Sequence, residues 1–244
     1  MTMSSRRRCL RGGALLGVGS LIGAGGLSGC QFPTYVSAPD TPVEPPRVRV
    51  GERWRYQSIN RFNGAETGGV IATVRDARAG SGLKLDLTKL DGSVIGEEWY
   101  ADPWRVLHDY SFDMLQAFEA PVPMLPSRLE AGIRESLTTY YQVPGASGRF
   151  YWSQLLKTPG WERVRVPAGD FLCLRVERLI RFQHSDIFRD RPERYDTLWY
   201  APAVNRWVQR EWTGYYFWPD SRLARLREDW VTWRLLDHTP APVS

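Results

Sequence analysis

Side chains able to perform acid, base, nucleophilic or metal chemistry are few and far apart in this chain of 244 residues. None of the three histidines, His108, His184 and His238, stands at metal-ligand spacing from another or from a cysteine pair. His184-Ser185-Asp186 contains the residue types of a hydrolytic triad, but triad groups converge in space rather than in consecutive positions, so we interpret it as a polar turn. The sequence therefore predicts no metal site, no cofactor and no catalytic residue.

Two further candidate groups also point away from catalysis. Glu97 and Glu98 are adjacent, so on a strand they face opposite sides of the sheet and cannot act as a carboxylate pair. Cys173 lies in the apolar stretch from Phe171 to Val176, which predicts a buried structural thiol. A hydrolase whose acid or nucleophile comes from distant segments stays open as an alternative.

Cys30 is the one cysteine whose surroundings predict a modification. Four arginines precede an apolar run from Gly12 to Gly26, and Leu27-Ser28-Gly29-Cys30 closes that run. A cationic start, a short apolar run and a small-residue cleavage site are the parts of a secretory signal peptide. Leu27-Ser28-Gly29-Cys30 resembles the lipobox of bacterial lipoproteins, in which diacylglycerol is attached to the cysteine and the chain is cut before it. The resemblance implies that residues 1–29 are removed and that acyl chains on Cys30 anchor the protein to a membrane.

The start of the chain also bears on export and sorting. Ser5-Arg6-Arg7 and Leu10 resemble a twin-arginine signal, from which Cys9 departs at the usual Phe position, so both this route and ordinary Sec export stay open. Lipoproteins kept at the inner membrane often carry Asp after the lipidated cysteine, whereas this chain has Gln31. We therefore expect a cell-envelope protein at the outer membrane, facing the periplasm, with the inner membrane as the alternative.

The positive charge of the chain belongs to this export signal. The formal net charge is +5, with 32 basic and 27 acidic residues. Residues 1–29 contain four arginines and no acid, so their removal leaves 28 basic residues against 27 acidic ones. Nucleic-acid binding needs clustered positive charge, so we predict no nucleic-acid partner.

The mature chain is predicted to consist of a tether, one domain and a short tail. Residues 30–46 include five prolines, which favour an extended tether that could hold the domain about 50 Å from the bilayer. A single β-rich domain is expected over 47–237, followed by a disordered tail over 238–244. Arg47 to Gly51 aligns loosely with Arg128 to Gly132, which suggests two related halves at about 47–118 and 127–237.

Period-two alternation dominates the domain. Leu83, Leu85 and Leu87 alternate with polar residues and run into Asp91-Gly92, a strong hairpin signal. The middle of the chain is different, because residues 112–118 fit a short helix. Residues 127–137 fit either a helix capped by Ser127 or a strand that opens the second half. We expect a mainly β fold, a curved antiparallel sheet with one or two short helices in the middle.

Val166-Pro167-Ala168-Gly169-Asp170-Phe171 and Leu198-Trp199-Tyr200-Ala201-Pro202 resemble motifs of uncharacterised bacterial periplasmic proteins, in which a Pro-Ala-Gly-x-Phe turn precedes a Trp-Tyr-Ala-Pro strand end. The resemblance covers residues 160–212. It implies a half-barrel similar to the lipoprotein carriers of the outer membrane, whose sheet wraps a hydrophobic cavity.

Aromatic content is the remaining signal. All 11 tryptophans lie in the mature chain. They either fill the core of a twisted sheet or line a ligand site, and Trp199 and Trp207 are the candidate ligand residues because they flank the turn at residues 202–205. The leading hypothesis is a non-enzymatic envelope lipoprotein that binds a hydrophobic ligand or a protein partner. A carbohydrate- or peptidoglycan-associating module using exposed aromatic side chains is the alternative.

Overall fold

Twelve antiparallel strands form the fold, in a computed structural model that describes residues 34–78, 82–110, 114–219 and 225–242. Each strand pairs with the next one along the chain, and the last strand returns to pair with the first, so the sheet closes into a barrel. The strands are β1 Arg53–Asn60, β2 Glu66–Arg78, β3 Gly82–Lys89, β4 Val94–Tyr100, β5 Arg105–Asp109, β6 Gln116–Pro123, β7 Arg134–Gln142, β8 Phe150–Val166, β9 Gly169–Phe182, β10 Asp190–Ala201, β11 Arg206–Phe217 and β12 Arg225–Thr239.

The period-two prediction is confirmed. In β3 the side chains of Leu83, Leu85 and Leu87 are buried inside the barrel, whereas Lys84 and Asp86 between them are partly exposed. Successive side chains of a strand face opposite sides, so one apolar set fills the interior. None of the described residues forms a helix long and apolar enough to cross a membrane.

The predicted half-barrel with short helices is wrong, although the mainly β class is right. Among the described residues the only helical element is a three-residue 3-10 turn, Pro202–Val204. The expected helix over 112–118 is replaced by β6 from Gln116, and residues 111–113 lie outside the described residues. Ser127 caps no helix, because its amide and hydroxyl both donate to Glu135 of β7. Strand pairing and burial of Phe118 and Val122 override the local helical pattern.

The two segments that align loosely in sequence hold equivalent places in the barrel. Gly51 and Gly132 have positive φ angles of 87° and 84° and stand two residues before β1 and β7. The Gly51 amide donates to the carbonyl of Val74 in β2, and the Gly132 amide donates to the carbonyl of Thr158 in β8. Val74 and Thr158 each return a hydrogen bond to the residue after the glycine. The same positive-φ glycine and the same pair of backbone hydrogen bonds therefore precede the first strand of β1–β6 and the first strand of β7–β12.

A second correspondence lies at the ends of β4 and β10, the fourth strand of each set of six. Trp99-Tyr100-Ala101 and Trp199-Tyr200-Ala201 are identical in sequence, and both tyrosines are buried. Each tripeptide leads into a turn whose last residue, Trp104 or Asn205, has a positive φ. We refer to β1–β6 and β7–β12 as the two six-strand sets.

The two sets meet along two junctions that differ in pairing. At the sealed seam, defined as the β12–β1 junction, eight residue pairs run from Arg53↔Thr239 to Asn60↔Val231. At the open seam, the β6–β7 junction, only Ala117↔Gln142 and Phe118↔Tyr141 pair. Among the described residues the two junctions between the sets therefore differ from eight residue pairs to two, and β4 and β5 are joined by two pairs as well.

The chain ends also pack on the barrel. His238 and Thr239, which we expected in the tail, are the last residues of β12 and pair with Trp54 and Arg53. In the tether, the Val36 amide donates to the Trp161 carbonyl at 2.8 Å. Residues 34–46 therefore do not extend freely from the domain, and any free spacer is shorter than the full tether.

Candidate ligand-binding site at the open seam

A cavity of about 690 Å³ opens where β6 and β7 separate. One wall comes from β6 and the loop after it, a second from β7, and residues of the tether cover a third side. The floor is formed by side chains of β8. The apolar lining residues are Pro39, Pro42, Val43, Pro45, Pro46, Pro103, Trp104, Pro121, Pro123, Leu125, Pro126, Leu129, Leu137, Leu156 and Trp161.

The sequence of β6 explains why this seam is open. Pro121 and Pro123 have no amide hydrogen, so neither can donate a ladder hydrogen bond to β7. The pairing of β6 with β5 also jumps from Val106↔Val122 to His108↔Ala117. Four residues of β6 therefore stand opposite one residue of β5, and a bulge of this size bends its strand away from the regular ladder.

The facing strand, β7, is regular and is left with a free edge. Residues from Arg134 to Tyr140 pair with β8 on one side. On the other side they pair with no strand of the described chain. In an antiparallel ladder alternate residues direct their N–H and C=O groups to opposite sides, so about half of this backbone points into the open seam.

Gln154 forms the floor of the cavity and is almost completely buried. Its side-chain amide donates to the carbonyl of Pro123 at 2.7 Å. Its Oε1 accepts hydrogen bonds from Nη2 and Nε of Arg178, at 2.8 and 3.1 Å. Gln154 therefore ties the irregular strand β6 to a group of charges inside the barrel.

Arg178, Asp196 and Arg210 form that group, which we call the ion cluster. Nη1 of Arg178 lies 2.6 Å from Oδ2 of Asp196, and Nη2 of Arg210 lies 3.0 Å from the same oxygen. Burial alone would raise the pKa of Asp196, but the two guanidiniums hold it below its usual value. Asp196 is therefore a carboxylate in the folded protein.

Arg206 is the centre of a second buried arrangement. Its guanidinium lies over the rings of Trp207, Trp104 and Trp54, at 4.4, 4.7 and 5.1 Å from their centroids. Its Nη2 lies 3.2 Å from a carboxylate oxygen of Glu98. Tryptophan rings and one carboxylate thus stabilise this charge within the core.

The buried charges balance one another. Among the described residues, the buried basic side chains are Arg178, Arg194, Arg206 and Arg210, and the buried acidic ones are Glu52, Glu98, Asp109 and Asp196. The buried basic and acidic side chains are equal in number, so the interior has the character of a polar structural core. The cavity at the open seam is therefore the stronger candidate for a ligand site.

No protein-family model and no curated protein matches this sequence. Solved structures do resemble it. One is a presumed exported protein with a YmcC-like fold from Bacteroides fragilis, with a TM-score of 0.47 and 16% identity over 82% of this chain and 100% of that one. Another is a presumed lipoprotein from Parabacteroides distasonis, with a TM-score of 0.48 and 15% identity over 86% of this chain and 100% of that one.

A third is the hypothetical lipoprotein YmcC from Escherichia coli, with a TM-score of 0.44 and 12% identity over 80% of this chain and 87% of that one. Similarity at these TM-scores and identities gives no information about what this chain binds.

The predicted ligand residues Trp199 and Trp207 do not line the open-seam cavity. The indole N–H of Trp199 donates to Glu162 at 2.8 Å, and Arg175 lies 5.4 Å from its ring centroid. Trp207 is fully buried beside Arg206. The cavity is lined instead by Trp104 and Trp161, and a ligand role for the other two tryptophans stays a prediction.

Two signals in the sequence could have revealed what was missed. The Pro121-x-Pro123 spacing within a strand indicates an edge, because proline is tolerated there and not in a central strand. Arg178 stands in step with Val176 and Ile180, which marks it as an inward-facing charge.

The structure describes Cys173 but not the residues of the export signal. Cys173 is buried, as predicted, and burial raises the pKa of its thiol. Among the described residues no three His, Cys, Asp or Glu side chains are placed to hold a metal ion. Cys30 and the signal residues Arg6, Arg7, Leu27, Ser28 and Gly29 lie outside the described residues.

Proposed function

We propose that this chain is a lipid-anchored, non-enzymatic protein of the bacterial cell envelope that binds an elongated, mainly apolar ligand in the open seam. The cavity of about 690 Å³ between β6 and β7 is the observation that carries the proposal. Its volume lies within the range of about 300–1,000 Å³ that is usual for ligand pockets. Its lining of leucine, tryptophan and proline side chains favours apolar surface on the ligand.

The polar side chains at the mouth of the cavity support the same ligand class. Glu135 accepts hydrogen bonds from Ser127, and Arg128 lies 3.8 Å from Glu130. The charged side chains that line the cavity are Arg105 and Arg128 against Asp102, Glu130 and Glu135, a formal difference of one charge. A ligand with a strong net charge would find no matching excess of the opposite sign there.

The lipid anchor assigns the proposed location. Cys30 precedes the docked part of the tether by only a few residues, since Val36 already bonds to the barrel. At about 3.3 Å per extended residue, the six steps from Cys30 to Val36 could span at most about 20 Å. The barrel would then sit close to the bilayer surface, and Gln31 favours the periplasmic face of the outer membrane.

Anchoring is tested with Cys30→Ser in the full-length chain. Mass spectrometry of the membrane-extracted wild type should find a diacylglyceryl group on Cys30 and an N-terminus at that residue. The Cys30→Ser chain should carry no lipid there. An unmodified Cys30 in the wild type would contradict the lipoprotein assignment.

Ligand binding is tested with a fluorescent fatty acid whose emission rises in apolar sites, titrated into the barrel unit from Thr34 to Ser244, which holds all twelve strands. Leu137→Arg places a charge in the cavity wall and should weaken binding at least tenfold. Leu226→Arg, on β12 and away from the cavity, is the matched control and should bind as the wild type does. Equal affinity of the two variants would place the apolar ligand outside the open seam.

Exposed aromatic rings at the opposite end of the barrel favour the carbohydrate-binding alternative. Phe188 and Trp218 lie with their centroids 5.1 Å apart and their planes 13° apart, and both are exposed. Flat exposed rings can stack against sugar faces. The test is retention of the barrel unit on purified peptidoglycan. Retention that is lost in Trp218→Ala but unchanged in Leu137→Arg would favour carbohydrate binding over binding of an apolar ligand in the open seam.

A further inference from the structure

We infer that the ligand of the open seam is an extended polypeptide segment of another protein, which adds to β7 as an extra strand. This inference rests on the proposed function, because it names the ligand class of the same cavity. The observation behind it is the free β7 edge, seven residues from Arg134 to Tyr140 with no strand partner in the described chain.

The rest of the barrel indicates what kind of group fits such an edge. At the sealed seam the corresponding strand, β1, is paired along all eight of its residues. At the open seam the same kind of edge borders a cavity at Glu135, Ser136 and Leu137. A row of alternating N–H and C=O groups is complementary to another polypeptide backbone and to few other ligands.

Strand β6, on the opposite side of the cavity, limits how the added polypeptide strand, here called the guest strand, can be bound. Pro121 and Pro123 of β6 offer no amide donors and present apolar rings to the cavity. A guest strand would therefore form its ladder with β7 and only pack against β6. One-sided pairing of this kind is the geometry of strand addition to a sheet edge.

The dimensions set the length of the segment. Strand spacing of about 4.8 Å, sheet spacing of about 10 Å and a rise of about 3.3 Å give roughly 160 Å³ per extended residue. The cavity of about 690 Å³ therefore has room for about four residues. Because Leu137 and Leu156 line it, the guest should place apolar side chains at alternate positions, towards them.

The tether of this chain does not supply the guest strand. Residues 38–46 border the cavity, but they form no strand with β7. Four of them, Pro39, Pro42, Pro45 and Pro46, have no amide hydrogen. We therefore assign the added strand, which needs amides at successive positions, to a different molecule.

The test uses the full-length lipidated protein in detergent micelles and a heptapeptide obtained from a random display library by selection on that protein. Two N-methylated versions of the peptide are compared, one methylated at odd and one at even positions. A guest paired on one edge only should lose at least tenfold in affinity in one version and less than twofold in the other. Loss of the donors facing β7 is the physical reason.

Amide hydrogen exchange gives the second readout. The seam-facing amides of β7 should exchange at least tenfold more slowly when the peptide is bound, while the amides of β1 at the sealed seam, the matched control, should not change.

Three results would overturn the inference. In the first, a selected peptide binds but leaves the amide exchange of β7 unaltered. In the second, the two methylated versions bind with equal affinity. In the third, no peptide can be selected although the fluorescent fatty acid still binds. The last result would leave the proposed function standing. If neither probe binds, both proposals fail.

Discussion

The sealed and open seams are formed by equivalent strands of the two six-strand sets, yet they differ in nearly every contact. At the sealed seam neither β1 nor β12 contains a proline, and Trp233 packs against Tyr56 and Trp212 with centroids 5.9 and 5.2 Å apart. At the open seam β6 contains two prolines and a large bulge. Since β7 is as regular as β1, the difference is encoded in β6.

The candidate site lies where the two six-strand sets differ in construction. Where both sets keep the same construction, as at Gly51 and Gly132, they build the barrel. Where the first set departs from it, at β6, the pairing with β7 is reduced to two residue pairs and a cavity lies beside it. Aromatic packing holds the sealed seam, whereas Gln154 and the ion cluster support the open one.

The largest expected effect is the loss of the ring at the centre of the sealed seam. Trp233→Ala should lower the free energy of unfolding by about 3–5 kcal/mol, because a buried ring is replaced by a cavity. Leu137→Ala, at the half-exposed wall of the open seam, should cost about 1 kcal/mol. Urea unfolding followed by tryptophan fluorescence measures both. Equal losses would mean that the two seams do not differ in how much they stabilise the barrel.

The second effect concerns the ion cluster behind the open seam. Asp196→Asn leaves Arg178 and Arg210 buried without their carboxylate and should lower the free energy of unfolding by about 3 kcal/mol. Asp86→Asn, which disturbs an exposed pair with Arg75, is the matched control and should have little effect. A small loss at Asp196 would show that the cluster is not needed to support this side of the barrel.

The pH dependence of the same variant follows from the lowered pKa of Asp196. A carboxylate with a depressed pKa stabilises the fold above the pKa of the unfolded chain, about 3.9, and this contribution is lost as the pH falls through its lower value in the folded protein. The stability difference between wild type and Asp196→Asn should therefore be constant near pH 6–8 and shrink below about pH 4. Urea unfolding at a series of pH values measures it. A difference that stays constant down to pH 2 would contradict the assignment of Asp196 as the charged partner.

Local pattern was sufficient for most strands, though not for β6 and β7, and it did not predict closure of the sheet. The alternation of Leu83, Leu85 and Leu87 follows from burial of one face and is visible in any short window. Closure depends on β1 meeting β12, a pairing of residues nearly 180 positions apart that no window contains. The helical reading of residues 127–137 failed for a different reason, because the partner of Ser127 is Glu135 of a strand rather than Glu130 of a helix.

The candidate site was harder to predict from sequence than the strands. Trp199 and Trp207 stand out in sequence because large rings are conspicuous, but their surroundings do not. Arg175, on the neighbouring strand β9, lies over Trp199, and Arg206, the residue before Trp207 in β11, lies over the ring of Trp207. The cavity lies where residues of β6 and β7 do not pair. In the sequence, this missing β6–β7 ladder is indicated only by Pro121 and Pro123.

The next effect follows from restoring the missing amide donors of β6. Pro121→Val together with Pro123→Val gives β6 two new amides, and each new hydrogen bond to β7 would add about 1 kcal/mol. Binding of the fluorescent fatty acid should fall several-fold, and the seam-facing amides of β7 should exchange more slowly. Val94→Ile, at an exposed β position, is the control for a generic change in β content. If binding and exchange stay unchanged, the bulge rather than the prolines keeps the seam open.

The smallest effect on stability concerns the tether beside the cavity. A Cβ at Gly160 would lie 2.5 Å from Cδ1 of Tyr35, so Gly160→Ala should push Tyr35 away and loosen the Val36–Trp161 hydrogen bond. The free energy of unfolding should change by less than about 1 kcal/mol, because the barrel ladder can keep its pairs. Trypsin cleavage after Arg47 should become several-fold faster, and Tyr35→Ala, which alters no barrel residue, should reproduce that increase. Cleavage that is accelerated by Tyr35→Ala but not by Gly160→Ala would contradict this. The tether would then be held over the open seam by the ring of Tyr35 and not by its close approach to Gly160.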